Sequence, residues 1–168
     1  MPAPAARDKI KPLSILAGVV RRANARGRRV VFTNGCFDLL HAGHVTLLEH
    51  AKRQGDLLIV GLNSDRSVRA LKGPGRPVFS QRDRALLLAA LQSVDYVTIF
   101  TERTPQRLIE RLRPDVLMKG ADWGAGQIVG SDVVRRKGGR IVRCPLLKGS
   151  STTAIIQRIK QAARSDDR

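Results

Sequence analysis

His41 and His44 stand three residues apart in "TNGCFDLLHAGH", residues 33–44, just behind an apolar run that reads as a strand. Neutral imidazoles are indifferent helix formers, so a pair on a strand-to-helix turn asks for a chemical role. If Ala42 and Gly43 begin a helix, the two rings share one face of its first turn, beside backbone N–H groups that have no partner within the helix. Such a terminus binds anions, and imidazole N–H donors beside it can follow the charge that grows on a phosphorus during displacement. Gly35 lets the backbone approach a ligand closely, and Gly43 is expected to leave space between the rings. Metal binding is the rival reading: zinc needs a third protein ligand, for which the sequence offers Asp38 or a remote cysteine. A purely structural pair is the third.

A second group of the same character lies near the C-terminus. "GSSTT", residues 149–153, precedes a helical pattern, and one hydroxyl there is explained by capping. Four hydroxyls in a row exceed that need, so Ser151 and Thr152 are read as phosphate donors at a helix start.

Both groups need a scaffold that brings distant segments to one place. Short apolar runs bounded by Gly, Pro, Asn or Asp occupy residues 29–34, 56–62, 95–100, 114–120 and 140–145. They suit strands buried on both faces. Helical patterns lie between them, over 45–54, 81–93, 104–112, 130–137 and 151–163, and an earlier one runs from Pro12 towards Gly27. The alternation predicts an α/β fold: a Rossmann-like, doubly wound, five-stranded parallel sheet with helices on both faces. Ligands of such sheets bind beyond the carboxyl ends of the strands, where the strand order reverses.

Candidates therefore follow strands directly. They are Asn34, Gly35, Cys36 and Phe37 after the first, Asn63 and Asp65 after the second, and Lys119, Asp122 and Trp123 after the fourth. Asp38 is a candidate for holding sugar hydroxyls or the helix start. Arg82 opposes a helix dipole unless an anion repays it, so a phosphate contact and a solvated arginine both stay open. "TERTP", residues 101–105, reads as an ordinary capped turn, and His50 as a surface residue. Residues 1–8 and 164–168 are polar, small or charged and are expected to fray.

The chain has 168 residues, which suits one domain. Its 31 Lys and Arg against 14 Asp and Glu leave a net charge of +17, which favours anionic small molecules. Six aromatic residues and no zinc-finger spacing argue against a nucleic-acid partner. No eighteen-residue apolar run and no secretory leader is visible, so a cytoplasmic protein with no membrane partner is expected. Cys36 and Cys144 are expected to be reduced. A noncatalytic polyanion-binding module remains the alternative that the charge alone favours.

"GCFDLLHAGH" and "GSSTT" resemble the two signatures of the cytidylyltransferase-like nucleotidyltransferases, HxGH and ISTT, here about 110 residues apart. The resemblance covers about residues 28–160. Within that superfamily, "GLNSDRSVRALKGPGRPV", "RPDVLMKGADW" and "GGRIVRCPLLKGSSTTAII" are similar to the D-glycero-β-D-manno-heptose 1-phosphate adenylyltransferases. This implies transfer of AMP from ATP to the sugar 1-phosphate, with release of pyrophosphate, giving ADP-heptose for lipopolysaccharide core synthesis. It implies a nucleotidyltransferase domain over residues 28–163, an N-terminal extension and helix over 1–27, and a frayed tail over 164–168. No kinase half is expected on this chain. His41 and His44 would contact the nucleotide phosphates, with Lys72 near them on a Gly-rich loop, a plain surface lysine being the alternative there. Ser151 and Thr152 would take the β- and γ-phosphates, and Asp122 and Trp123 the ribose and base. Mg²⁺ is expected to arrive with ATP rather than in a protein cage, and assembly of identical copies is left open. The related glycerol 3-phosphate cytidylyltransferases begin their second signature with an arginine, where this chain has Leu146. A cytidylyltransferase for a small polyol phosphate is therefore the alternative.

Overall fold

The run Leu57–Asn63 is buried at every one of its positions, as expected of a strand covered on both faces. It is β2 of a five-stranded sheet that also contains β1 (Val30–Gly35), β3 (Tyr96–Phe100), β4 (Val116–Gly120) and β5 (Arg140–Cys144). These come from a computed structural model that describes residues 4–121, 128–145, 149 and 151–166. All pairings are parallel and the order is β3-β2-β1-β4-β5, so the strand order reverses between β1 and β4. The helices are α1 (Leu13–Ala25), α2 (Ala42–Lys52), α3 (Asp65–Lys72), α4 (Gln81–Ala90), α5 (Gln106–Leu112), α6 (Ser131–Arg136) and α7 (Thr152–Asp166).

The side-chain alternation of the strands divides the core into two layers. Phe32, Ile59 and Leu117 face one way and pack with Leu16 and Val20 of α1, Ile109 of α5 and Val134 of α6. Val31, Leu58, Val60 and Met118 face the other way, against Leu48 of α2 and Leu88 of α4. The amino ends of the strands are tied by three aspartates, each standing just ahead of a strand and accepting from a neighbouring backbone. Asp56 accepts from Arg29 N (2.7 Å), Asp95 from Leu58 N (2.7 Å) and Asp115 from Val30 N (2.8 Å). The carboxyl ends are thereby left free for chemistry.

Three expectations change. Residues 6–8, expected to fray, belong to a 3-10 turn, Ala6–Lys9, anchored where the Lys9 ammonium donates to the carbonyls of Leu91 and Val94. The segment then bridges β3 through Ile10 and Val97. α3 was not anticipated, because only Ser67 and Val68 of its eight residues are buried and the apolar stripe is too short to read. Its signal is the cap, where Ser64 Oγ accepts from Ser67 N at 3.2 Å. α7 runs to Asp166, so residues 164–166, also expected to fray, are helical.

Candidate functional site

β1 ends in Asn34 and Gly35, and the chain then turns sharply: Phe37 has φ 43, a left-handed conformation uncommon for a non-glycine residue. Gly35 fits closely here: a Cβ would lie 3.0 Å from the Phe37 ring, which would have to give way by a few tenths of an ångström. His41 caps α2 in extended conformation, and its carbonyl accepts from His44 N and Val45 N. Its imidazole makes no capping bond and is left for other work. The rings of His41 and His44 stack with centroids 3.8 Å apart, and the Phe37 ring meets His44 at 5.1 Å and 58°. Gly43 is therefore not a spacer between separated rings, because the imidazoles touch each other. Both Nδ1 atoms are buried and have no hydrogen-bond partner among the described residues. Buried polar atoms left unpaired in this way are uncommon and make the pair a candidate for a functional role.

Burial makes both imidazoles reluctant cations. It pushes His41 below its ordinary value. His44 is pushed down to about 4, by burial first and by the neighbouring His41 second, against an opposing contact with the Leu39 backbone. The free site thus holds neutral rings that can still donate N–H. The Cys36 thiol is pushed up by burial, against the opposing charges of Lys72, Arg84 and Arg76, and burial raises Cys144 against the pull of Arg53. Both cysteines are free thiols.

A cleft of about 380 Å³ opens over the carboxyl ends of the strands. Asn34, Gly35, Cys36, Phe37 and His44 line it together with Asn63, Lys72 and Lys119. Lys119 is only 8% exposed, and its ammonium lies 2.6 Å from Asn34 Oδ1, across the point where strand order reverses. Lys72 is the last residue of α3 rather than part of the following loop. The two signatures converge: Thr152 Oγ1 donates to the carbonyl of Leu39 at 3.4 Å, although 113 residues separate them. Ser151 is the cap of α7, its Oγ accepting from Ala154 N at 3.1 Å. No group of three or more His, Cys, Asp or Glu able to hold a metal occurs among the described residues. The cleft carries three cationic side chains, Lys72, Arg103 and Lys119, which suits an anionic ligand.

Other candidates are differently employed. Asp38 is 2% exposed and its carboxylate accepts from Arg76 Nε (2.5 Å), Val78 N (2.7 Å) and Phe79 N (3.3 Å), so it anchors the loop over residues 73–80. Asn63 reaches the cleft wall but donates to Ser67 Oγ, and Asp65 accepts from Arg84. Arg82 is exposed and does not line the cleft, so it reads as the solvated arginine. Asp122 and Trp123 lie outside the described residues. Arg103, Thr104 and Pro105, read from sequence as a plain turn, form part of the cleft wall, and Pro105 is the residue that caps α5. Arg84 was missed altogether: it is 0% exposed and its guanidinium reaches four acceptors around the site.

A family model described as Cytidylyltransferase-like matches residues 32–158. The chain is 57% identical over 152 residues to Bifunctional protein HldE of Magnetococcus marinus, covering 90% of this chain and 31% of that protein. It is 54% identical over 159 residues to the Mesorhizobium japonicum protein of the same name, covering 95% and 32%. The chain thus spans about a third of the length of these curated relatives. A solved lipopolysaccharide core biosynthesis protein from Thermoplasma volcanium GSS1 superposes with TM-score 0.58 at 25% identity, over 73% of this chain and 98% of that one. Pantoate-beta-alanine ligase from Francisella tularensis gives TM-score 0.58 at 15% identity, over 83% and 67%, a likeness of fold alone. Among the described residues no helix is long and apolar enough to cross a membrane.

Proposed function

Because the chain belongs to the cytidylyltransferase-like family of nucleotidyltransferases, we propose that it transfers AMP from ATP to D-glycero-β-D-manno-heptose 1-phosphate, giving ADP-heptose and pyrophosphate in the cytoplasm. One observation carries the reading: the hydroxyl-bearing start of α7 is bound through Thr152 to Leu39, two residues ahead of the stacked histidines, whose Nδ1 atoms are both unpartnered among the described residues. The choice of sugar is supported by the sequence phrases shared with heptose 1-phosphate adenylyltransferases. The likeness to a lipopolysaccharide core biosynthesis protein supports it further.

An oxygen of the sugar 1-phosphate bonds to the α-phosphorus of ATP while the bond from that phosphorus to the bridging oxygen breaks, and pyrophosphate leaves with the electron pair. The nucleophile is already an anion, so no general base is needed. The protein must align two anions and offset the charge at the reacting phosphorus. His41 and His44 donate N–H to that phosphoryl group, Lys119 and Lys72 supply positive charge on either side of the cleft, and Ser151 and Thr152 with the start of α7 hold the β- and γ-phosphates. Asn34, Gly35, Cys36 and Phe37 form the floor, and Asp122 and Trp123 take the ribose and base. Mg²⁺ comes with ATP, on phosphate oxygens and water.

Pyrophosphate release by purified protein tests this. ATP with heptose 1-phosphate is expected to react, and CTP with glycerol 3-phosphate is not. Turnover only with the second pair, or with neither, rejects the proposal.

A further inference from the structure

We propose that Arg84 is a positioning residue of this site: from within the core it holds the Phe37 turn in the shape that seats the His44 ring. Arg84 lies in α4 with no solvent exposure. Its Nε donates to Phe79 O (3.1 Å), one terminal nitrogen to Cys36 O (2.5 Å) and Asn63 O (2.9 Å), and the other to Asp65 Oδ1 (2.7 Å). Only one of the four acceptors is a carboxylate. The other three are main-chain carbonyls from three separate segments: the turn after β1, the end of β2 and the loop ahead of α4. Removing the donor would take a partner from each of them, including the buried Asn63 carbonyl, and a lysine cannot reach them all.

The Cys36 carbonyl matters most, because the next residue is Phe37 with φ 43. That conformation persists only where its surroundings hold it, and here it is held from both sides. Arg84 grips the carbonyl ahead of Phe37, and the carboxylate of Asp38 behind it is gripped by Arg76, Val78 N and Phe79 N. Phe79 serves both grips, its N–H on Asp38 and its C=O on Arg84, so the two act as one unit. The Phe37 ring, folded back over Gly35, packs against one side of His44, while His41 stacks on His44 as well. The chain of contact from Arg84 to the imidazole is continuous, yet Arg84 itself is too deep to touch a substrate.

The test uses Arg84→Lys in the full chain. Its kinetic readout rests on the adenylyl-transfer reading, whereas its NMR readout does not. We expect kcat to fall about 10- to 100-fold, the cost of misplacing a reacting group by about an ångström. KM for ATP should stay within about twofold, and added guanidinium should restore part of the activity of Arg84→Ala. The proton resonances of the His44 ring, displaced in the wild type by the flanking Phe37 and His41 rings, should move towards those of His50. Leu88→Val, buried four residues along the same helix, lowers stability without touching the grip and should leave kcat and the His44 resonances unchanged. Wild-type kcat and resonances in Arg84→Lys, or the same losses in Leu88→Val, overturn the proposal. Should Arg84→Lys not fold, Asp65→Asn carries the test, because it loosens the guanidinium from its one carboxylate and keeps both flanking rings: the His44 resonances must move in that variant, and resonances that stay put overturn it. A wild type that releases no pyrophosphate rejects the adenylyl-transfer reading, and the resonances still decide this one.

Discussion

At the scale of single residues, the site is governed by what burial does to an imidazole. His44 is driven to about 4 by burial and by His41, while an unfolded histidine titrates near its ordinary 6.5. As pH falls through that window the unfolded chain takes up a proton that the folded ring refuses, so the native state loses stability towards acid. Urea unfolding should show this loss between pH 6.5 and 4, on the order of 2 kcal/mol after allowing for solvent contact. In His44→Gln the part of the slope owed to this ring should be missing, and the part owed to the depressed His41 should remain. For catalysis, His41→Ala and His44→Ala should each lower kcat by about 10²- to 10³-fold, as loss of a donor to developing charge does, with midpoint temperatures changed by only a few degrees. Collapse of the fold instead would make the pair structural. The histidines were legible in the sequence because spacing alone places them at one helix start. Arg84 was not: Arg82 and Arg84 are alike in type and two positions apart, and only the packing of α4 on the sheet buries one and exposes the other.

At the scale of elements, the loop between α3 and α4 is held by one carboxylate. Asp38→Ala leaves Arg76 and two backbone amides without their acceptor, and breaking a buried pair of this kind costs about 3–5 kcal/mol. The accompanying sign should be local, with the amides of Val78 and Phe79 exchanging with solvent faster by at least about tenfold. The start of α6 is set by Gly130, which has φ +79 and where a Cβ would lie 2.6 Å from Ile109 Cδ1. Gly130→Ala combines left-handed strain with overpacking and should cost about 2–4 kcal/mol. Gly138→Ala has a similar φ but open space around it and should cost about 1–2 kcal/mol. Thermal unfolding of the two variants distinguishes crowding from backbone strain. Helices and strands were readable from their periods, except α3, whose eight residues bury too little apolar surface to leave a stripe.

At the scale of the molecule, a net charge of +17 draws anions towards the cleft. Raising ionic strength towards about 1 M, where the Debye length shrinks to about 3 Å, should lower kcat/KM for ATP several-fold while kcat changes less. A salt-independent kcat/KM would show that only the contacts within the cleft matter. The amino-acid sequence by itself determined the α/β alternation, the places where strands end and the residue types of both signatures, because periodicity, turn residues and spacing act over a few positions of chain. It could not determine that β1 lies beside β4, that Thr152 comes to Leu39, or that Asp38 is taken up by a loop. Those outcomes depend on which distant apolar faces bury each other and which buried polar groups then find partners, a balance settled only when the whole core assembles.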